Sequence, residues 1–310
     1  MIFLQDILAK IEPVDKKAGQ KAQKRLDSLT KPPGSLGILE KIAVKLASIQ
    51  GNPMPTIGKK VVMIMAGDHG VIEEGYHSWP QEVTRQMVYN FLNRGAAINV
   101  LAKQYDAKVV VTDTGIIGDP IIHPDLIMRK IRPGTRNMAK ESAMTRKEVI
   151  AAIDLGIELA KKEIQQGATI IATGEMGIGN TTPSSAILAC YTKEHLGKIT
   201  GKGTGLDDKG LIKKQATIKK ALELNKPDPA DPLDVLTKVG GYEIAALTGV
   251  IIGAAANKTP VLLDGFISTA SALIACRLSE VIKEYIFASH LSQEPGHEIM
   301  LQEIGLKPML

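Results

Sequence analysis

The sequence predicts an α/β fold in which helices cover both faces of a mostly parallel sheet. Two observations predict it. Short, almost continuously apolar runs such as Lys60–Ala66 (KVVMIMA) and Ala168–Thr173 (ATIIAT) are typical of strands that are buried on both faces. Amphipathic segments such as Arg146–Gln166 separate these runs. Strands that alternate with helices favour parallel pairing through helical crossovers.

The first 50 residues contain only helical patterns. Amphipathic spacing predicts helices over Ile2–Ile11, Asp15–Leu29 and Ile38–Ile49. The segment Thr30–Gly37 between the second and third of these helices contains two prolines and two glycines, which exclude a helix there. The proline-rich segment Asn225–Pro232 (NKPDPADP) predicts a surface connector. From residue 60 onward the predicted elements are strand Lys60–Ala66, helices Gln81–Leu92 and Ala96–Tyr105, strand Ala107–Thr112, helix Arg146–Gln166, strand Ala168–Thr173, helices Pro183–Cys190, Leu211–Leu224 and Tyr242–Ala256, strand Pro260–Leu263, helix Ser268–Glu284 and strand Phe287–His290.

Composition excludes several classes of protein. The chain has 310 residues, of which 44% are hydrophobic and 23% charged, so it is not a disordered polymer. A net charge of +5, scattered lysines and 4% aromatic residues argue against a nucleic-acid-binding protein. We expect no membrane span and no signal peptide, because no apolar run is long enough and the N-terminus lacks a basic start and a cleavage site. Cys190 and Cys276 form no metal or disulfide pattern, which favours the cytoplasm.

The loop Gly174–Pro183 (GEMGIGNTTP) is the most informative segment, because it follows a predicted strand and opens a predicted helix. Ligands of parallel sheets bind at the carboxyl ends of the strands. Exposed amides and a helix N-terminus favour an anion, and Glu175 supplies an acid or base. The loop lacks the Gly-Lys-Ser/Thr ending of a P-loop. A flexible turn before a capped helix fits the same residues.

A second glycine-rich segment, Gly201–Gly205 (GKGTG), offers another backbone nest for an anion. Asp207 or Asp208 is expected to cap the following helix. Together the two nests favour a phosphate ligand. Asp68, His69 and Asp113 also follow predicted strands, although capped turns explain them equally well. His290 and His297 lack a third ligand at a recognisable spacing, so no metal site is predicted. The residues alone fit phosphoryl or phosphoribosyl transfer.

Taken together, eight segments resemble one family, the nicotinate-nucleotide–dimethylbenzimidazole phosphoribosyltransferases of cobalamin lower-ligand synthesis. The segments follow the family order over nearly the whole chain. They are LTKPPGSLGILE (29–40), MAGDHGV (65–71), WPQEVTRQM (79–87), GEMGIGNTTPSSA (174–186), GKGTGLDD (201–208), GGYEIAALTG (240–249), LLDGFISTASAL (262–273) and SHLSQEPGH (289–297).

The resemblance implies a reaction without a metal or cofactor. Nicotinate mononucleotide gives its phosphoribosyl group to a nitrogen of dimethylbenzimidazole, nicotinate leaves, and the ribosyl linkage inverts from β to α. The product is α-ribazole phosphate. The acceptor range is left open by the sequence, so adenine or a phenol remains an alternative acceptor.

The resemblance also implies roles for residues of this chain. Some hold the nucleotide, others line the benzimidazole pocket, and one carboxylate lies beside the reacting centre. Gly177, Gly203 and Lys214 would hold the phosphate, Ser292 and Gly296 would lie by the nucleotide, Glu175 would be the cleft carboxylate, Asp264 would form the cleft floor, and Gln81, Pro80 and Met87 would line the benzimidazole pocket.

In the family, a segment of the form LGEG follows sequence similar to Gly305–Leu310, and its Glu is the expected general base. The sequence ends at Leu310, so we expect the natural chain to continue beyond it. A chain that lacked this Glu would have Glu175 as its only obvious carboxylate. A binding-only or catalytically impaired protein is therefore the alternative from a different functional class.

The resemblance implies a two-part architecture. A large domain with a Rossmann-like parallel sheet would span residues 51–290, and a small helical domain would combine residues 1–50 with the tail 291–310. The family forms homodimers in which the N-terminal part of one subunit helps to build the site of the other. The segment LTKPPGSLG is therefore expected to reach a second copy of the chain.

Overall fold

The computed structural model describes residues 4–310, so the predicted helical residues Ile2 and Phe3 lie outside the described residues. Six strands form one sheet, and every adjacent pair is parallel. The strands are β1 (Lys59–Gly67), β2 (Ala107–Gly115), β3 (Leu126–Met128), β4 (Ala168–Met176), β5 (Val261–Leu263) and β6 (Ile286–Ala288). Their order is β3-β2-β1-β4-β5-β6. The order reverses between β1 and β4, which is where such sheets bind ligands.

The described residues also contain thirteen α-helices. They are α1 (Leu4–Leu8), α2 (Lys16–Asp27), α3 (Ile38–Gln50), α4 (Glu82–Leu92), α5 (Ala97–Gln104), α6 (Arg146–Gln165), α7 (Thr181–Tyr191), α8 (Leu196–Ile199), α9 (Asp208–Asn225), α10 (Pro232–Val239), α11 (Tyr242–Ala256), α12 (Phe266–Leu278) and α13 (Pro295–Ile304). Two 3₁₀ helices cover Gly70–Glu74 and Glu280–Tyr285. No helix within residues 4–310 is long and apolar enough to cross a bilayer.

Alternate side chains of β1 enter two different cores, because successive residues of a strand point to opposite faces. Val61, Met63 and Met65 join the large core that contains α6 and α11. Ile64 and Ala66 join a smaller core with the buried residues of α4. The predicted α/β class with helices on both faces of the sheet is therefore confirmed.

β2 and β4 extend further than predicted. Main-chain pairing continues after the apolar runs end, since Met65 lies opposite Glu175 in β4 and Ala66 lies opposite Asp113 in β2. Glu175 is thus held on a strand, and its predicted position in a loop is wrong. The rigid ladder fixes where its carboxylate points.

The predicted helix Ser268–Glu284 is also wrong at its end. α12 stops at Leu278, because Ser279 is extended (φ −155°), and a 3₁₀ helix follows. Sequence reasoning missed β3, α8, α10 and α13. α10 begins where a connector was predicted to end, since Asp231 caps its first amides and Pro232 occupies its first turn.

The segment between α1 and α2 contacts the 3₁₀ helix that precedes β6. The Val14 amide donates to Glu284 Oε2 at 2.9 Å, and the Tyr285 hydroxyl donates to the Glu12 carbonyl at 2.7 Å. Near the C-terminus, Pro308 forms a parallel bridge with Ala288. The division into a small domain (1–50 with 291–310) and a large domain (51–290) stays a prediction.

Candidate active site

The ends of β1 and β4 meet at the point where the strand order reverses. Gly177 follows β4 directly, and a Cβ at this position would lie 2.3 Å from the Gly67 carbonyl oxygen and 3.3 Å from His69 Nε2. Only glycine permits this approach. The approach holds the turn after β4 against the turn after β1.

A cavity of about 200 Å³ lies between the turn after β4, residues 76–79 and the glycine segment 201–205. Its wall includes all three residues that are predicted to hold the phosphate, namely Gly177, Gly203 and Lys214. The other lining residues are Tyr76, His77, Ser78, Trp79, Glu175, Met176, Ile178, Gly179, Asn180, Thr181, Thr182, Lys202, Thr204, Leu206 and Ile267. The N-terminus of α7 opens on this cavity, as the loop pattern predicted.

Lys214 is a buried cation in this wall, with 1% of its surface exposed. Its Nζ donates to Thr181 Oγ1 and to the Gly201 carbonyl, both at 2.9 Å. Burial lowers the pKa of Lys214 to about 8, although the charge of Glu294 opposes the change. The side chain is still mostly protonated at neutral pH. Its ammonium group has three N–H donors, of which two are paired with protein acceptors in the described chain. An anion in the cavity would complete its coordination.

Gly203 is held by a residue that sequence reasoning missed. Its amide donates to Glu294 Oε1 at 2.8 Å, while Glu294 Oε2 is buried without a hydrogen-bond partner in the described chain. Gly203 has φ +55°, and a Cβ there would lie 2.9 Å from Thr181 Oγ1. Glu294 therefore fixes the glycine segment and brings a negative charge close to Lys214.

Glu175 borders this cavity and a second one. Its Oε2 accepts a hydrogen bond from Asn180 Nδ2. Burial, with the charges of Glu243 and Asp264, raises the pKa of Glu175 to about 7, against the opposing bond from Asn180. A carboxyl group with a pKa near the working pH is suited to taking up a proton.

The second cavity, of about 300 Å³, is mainly apolar. Its polar lining residues are Thr173, Glu175, Asp264 and Ser289. Its other lining residues are Val62, Ile64, Phe91, Ile98, Ala172, Gly174, Leu262 and Leu263. A mostly apolar lining with a few polar groups is typical of a site for a small organic molecule.

A buried ion pair supports the turn after β1. His69 Nε2 lies 2.8 Å from Glu243 Oε1, and the two side chains are 1% and 0% exposed. Burial opposes the charge on His69, but the attraction and hydrogen bond of Glu243, with Asp68 and Glu175, raise its pKa. Sequence reasoning singled out His69 but missed Glu243. The available signal was one acid in the first turn of an otherwise apolar helix.

Three residues predicted for the benzimidazole pocket lie near the start of α4. Gln81 Nε2 donates to the His69 carbonyl at 3.5 Å, Pro80 is exposed, and Met87 packs on the smaller core. None of the three borders either cavity in the described chain. Trp79 does border the first cavity, and its Nε1 donates to the Thr204 carbonyl at 3.2 Å.

The segment before α13 is organised by His297. The Ser292 amide donates to His297 Nδ1 at 3.0 Å, and the other ring nitrogen donates to Thr269 Oγ1 at 2.9 Å. Gly296 packs under α8, since a Cβ there would lie 2.5 Å from the Ile199 carbonyl. Ser292 and Gly296 thus belong to the support of the site in this structure. Within residues 4–310 no group of three His, Cys, Asp or Glu is placed to hold a metal ion.

Comparison with known proteins shows the family of this chain. Residues 11–310 match a family model described as phosphoribosyltransferase. The nicotinate-nucleotide–dimethylbenzimidazole phosphoribosyltransferase of Geobacter sp. (strain M21) is 54% identical over all of this chain and 89% of its own length. The protein of that name from Desulforamulus reducens is 53% identical over 100% of this chain and 89% of its own length. The crystal structure of CobT from Thermus thermophilus superposes with a TM-score of 0.91, at 43% identity, over 95% of this chain and 88% of that one. The chain therefore belongs to the nicotinate-nucleotide–dimethylbenzimidazole phosphoribosyltransferase family.

Proposed function

We propose that this protein transfers the phosphoribosyl group of nicotinate mononucleotide to dimethylbenzimidazole, giving α-ribazole phosphate and nicotinate for cobalamin assembly. One observation carries the proposal. Glu175 borders both the first cavity, which we call the polar cavity because Lys202 and Lys214 line it, and the second cavity, which we call the apolar cavity because its described lining has no cation. A donor nucleotide and an acceptor base would then meet at one carboxylate. The names of the relatives support the same substrates.

The phosphate of the nucleotide occupies the polar cavity. Lys214 supplies the positive charge, and the α7 N-terminus with the turns at Gly177 and Gly203 supplies backbone dipoles. Ser292 and Gly296 act on the nucleotide through the segment that carries Glu294. These contacts fix the ribose so that its anomeric carbon faces Glu175.

The acceptor ring occupies the apolar cavity, with Asp264 at its floor. Gln81, Pro80 and Met87 do not line this cavity. Met87 packs on the core that includes the wall residues Ile64 and Phe91, so the predicted role of the three in choosing the acceptor would be exerted from the start of α4. A ring nitrogen of the acceptor attacks C1′ from the face opposite the nicotinate ring. The bond between C1′ and the pyridinium nitrogen breaks, its electron pair stays on nicotinate, and the configuration at C1′ inverts.

Glu175 receives the proton that the attacking imidazole ring loses. Its pKa of about 7 makes it a base near neutral pH and still allows the proton to be released afterwards. The leaving group departs as a neutral pyridine ring, so its departure needs no external acid. A further Glu from a segment after residue 310 would act on the same proton in a longer chain.

A turnover assay tests this function. The protein is incubated with nicotinate mononucleotide and dimethylbenzimidazole, and nicotinate and the ribosylated base are separated by chromatography. Parallel reactions with adenine and with a phenol compare acceptors. Glu175→Gln should lose most of the activity, and the exposed Glu223→Gln should lose none. Equal rates for both variants would refute the role of Glu175, and absence of any transfer by the folded protein would refute the function.

We also propose that the protein acts as a homodimer. Leu36, Ile38 and Leu39 are 47%, 45% and 61% exposed in the segment expected to reach a second copy. Contiguous exposed apolar side chains favour an interface. Leu39→Glu should produce a monomer in light scattering and reduce turnover. A monomeric wild-type protein with full turnover would contradict the proposal.

We place the reaction in the cytoplasm. Cys190 and Cys276 are both free thiols. Free cysteines are typical of reducing compartments. Fractionation of the source cells with an antibody against the protein tests this placement, and recovery from an oxidising compartment would contradict it.

A further inference from the structure

The imidazole ring of His77 is fixed in the wall of the polar cavity. It stacks on Tyr76 with ring centroids 4.1 Å apart and planes inclined by 29°. Its Nε2 lies 3.1 Å from the position that a Cβ of Gly179 would occupy. Gly179 has φ +90° and no side chain, so the ring is packed against bare backbone at the turn before α7. The ring is thus oriented without any hydrogen bond of its own.

Both ring nitrogens of His77 are buried, and neither has a hydrogen-bond partner among the residues that the structure describes. Buried polar atoms in proteins almost always have a partner, since an unpaired one costs about 1–3 kcal/mol. The ring also borders the cavity that we assign to the nucleotide. The unpaired nitrogens therefore point to a partner that arrives with the ligand.

The surroundings of His77 select an anion as that partner. Lys214 from α9, Lys202 from the glycine segment and the N-terminus of α7 line the same cavity, and Glu175 also lines it. Burial, with the charges of Lys214 and His69, lowers the pKa of His77 to about 4. The ring is then neutral at pH 7 and carries one N–H. A neutral donor beside a lysine complements an oxygen of a bound anion without adding repulsion.

We propose that His77 donates a hydrogen bond to the phosphate of nicotinate mononucleotide. This inference rests on the proposed function and adds a phosphate ligand that the glycine segments and Lys214 do not include. The carboxylate of the nicotinate ring is the other anion of the same substrate. The two anions can be separated by choosing ligands that carry only one of them.

Calorimetric binding to wild-type protein and His77→Ala tests the inference with three ligands. Nicotinate mononucleotide carries both anions, nicotinate riboside lacks the phosphate, and nicotinamide mononucleotide lacks the carboxylate. We expect His77→Ala to weaken both mononucleotides about tenfold and to leave the riboside unchanged, as for one hydrogen bond to a charged group. His77→Gln, which keeps an N–H donor, should recover part of the loss. The exposed His195→Ala is the matched control.

The outcomes distinguish this inference from the function. An equal loss for the riboside and the mononucleotides, or a loss confined to ligands that carry the carboxylate, overturns the role of His77 and leaves the function standing. No loss with any ligand also overturns it. If the wild type binds none of the ligands, the function fails and the inference fails with it. Thermal unfolding of each variant confirms that it is folded.

The imidazole ¹⁵N resonances give a second readout that a purely structural residue would not move. Nicotinamide mononucleotide should shift the signals of His77 and raise its apparent pKa, because the phosphate charge favours the protonated ring. Nicotinate riboside should leave both unchanged. An unchanged His77 spectrum at saturating mononucleotide overturns the inference.

Discussion

Replacement of Lys214 by Met separates ligand binding from stability. Lys214 is 1% exposed, and burial lowers its pKa from 10.5 to about 8, which corresponds to about 3 kcal/mol against folding at pH 7. Methionine removes this cost. It also removes two hydrogen bonds, to Thr181 and Gly201, each worth about 1 kcal/mol. The free energy of unfolding should therefore stay unchanged or rise by about 1 kcal/mol.

Ligand binding should change in the opposite direction. Loss of a charged donor to phosphate costs about 1.5–3 kcal/mol, so the Kd for nicotinate mononucleotide should rise about 10- to 150-fold. Calorimetry measures the Kd, and urea unfolding measures the stability. The neighbouring exposed residue offers a matched control, since Lys213→Met removes the same charge from the helix surface.

The stability cost of burying Lys214 also depends on pH. The folded pKa of Lys214 is lowered, so the cost of its burial is present below pH 8 and is relieved as the pH rises from about 8 towards 10.5. Any stability gain of Lys214→Met should shrink over that range. A variant that unfolds at least 2 kcal/mol more easily but binds the nucleotide normally would refute the reasoning and make Lys214 a structural cross-link.

Three further predictions concern carboxylates. Glu175→Gln should lower kcat/KM about 100-fold, as expected for a general base, and should abolish the acid limb near pH 7 in the rate profile; an unchanged profile would exclude Glu175 as the base. Glu243→Gln should lower the free energy of unfolding by about 3 kcal/mol at pH 5 and by less at pH 9. The pKa of His69 is raised in the folded protein, so the ion pair stabilises the fold below the unfolded pKa of His69, and this stabilisation is lost above its folded pKa. A difference in urea unfolding that does not depend on pH would contradict this. Glu294→Gln keeps the acceptor for the Gly203 amide but removes a negative charge beside the phosphate site. Calorimetry at pH 7 should therefore show severalfold tighter binding of nicotinate mononucleotide. Weaker binding would show that the charge of Glu294 is required.

The fold could be predicted from local signals where those signals are strong. The buried strands and the long helices of the sheet appear at the expected places, and α11 has the predicted bounds, Tyr242–Ala256. The helix cap at Asp207 is also confirmed, since its side chain accepts from the Gly210 amide. β3 could not be predicted, because its three residues gain their structure only from pairing with β2. Pairing across the sheet also carried β4 through Glu175, where local propensity indicated a loop.

The polar cavity could be predicted in outline, because glycines and helix caps mark it in the sequence and the family resemblance adds Lys214. Its partners from distant segments could not. Glu294 reaches Gly203 across 91 residues, and Glu243 reaches His69 across 174. Such pairs form only when the chain folds and brings two distant segments together. The unpaired ring nitrogens of His77 could not be predicted from the sequence either, because the lack of a partner depends on how the cavity folds.

The stereochemistry of the product tests the central claim most directly. Protein, nicotinate mononucleotide and dimethylbenzimidazole are reacted, and the anomeric proton and carbon of the ribosylated base are assigned by NMR beside the amount of nicotinate released. Direct displacement at one carboxylate predicts the α-anomer in an amount equal to nicotinate. A β-linked product, or nicotinate released as free ribose phosphate accumulates, would contradict the account.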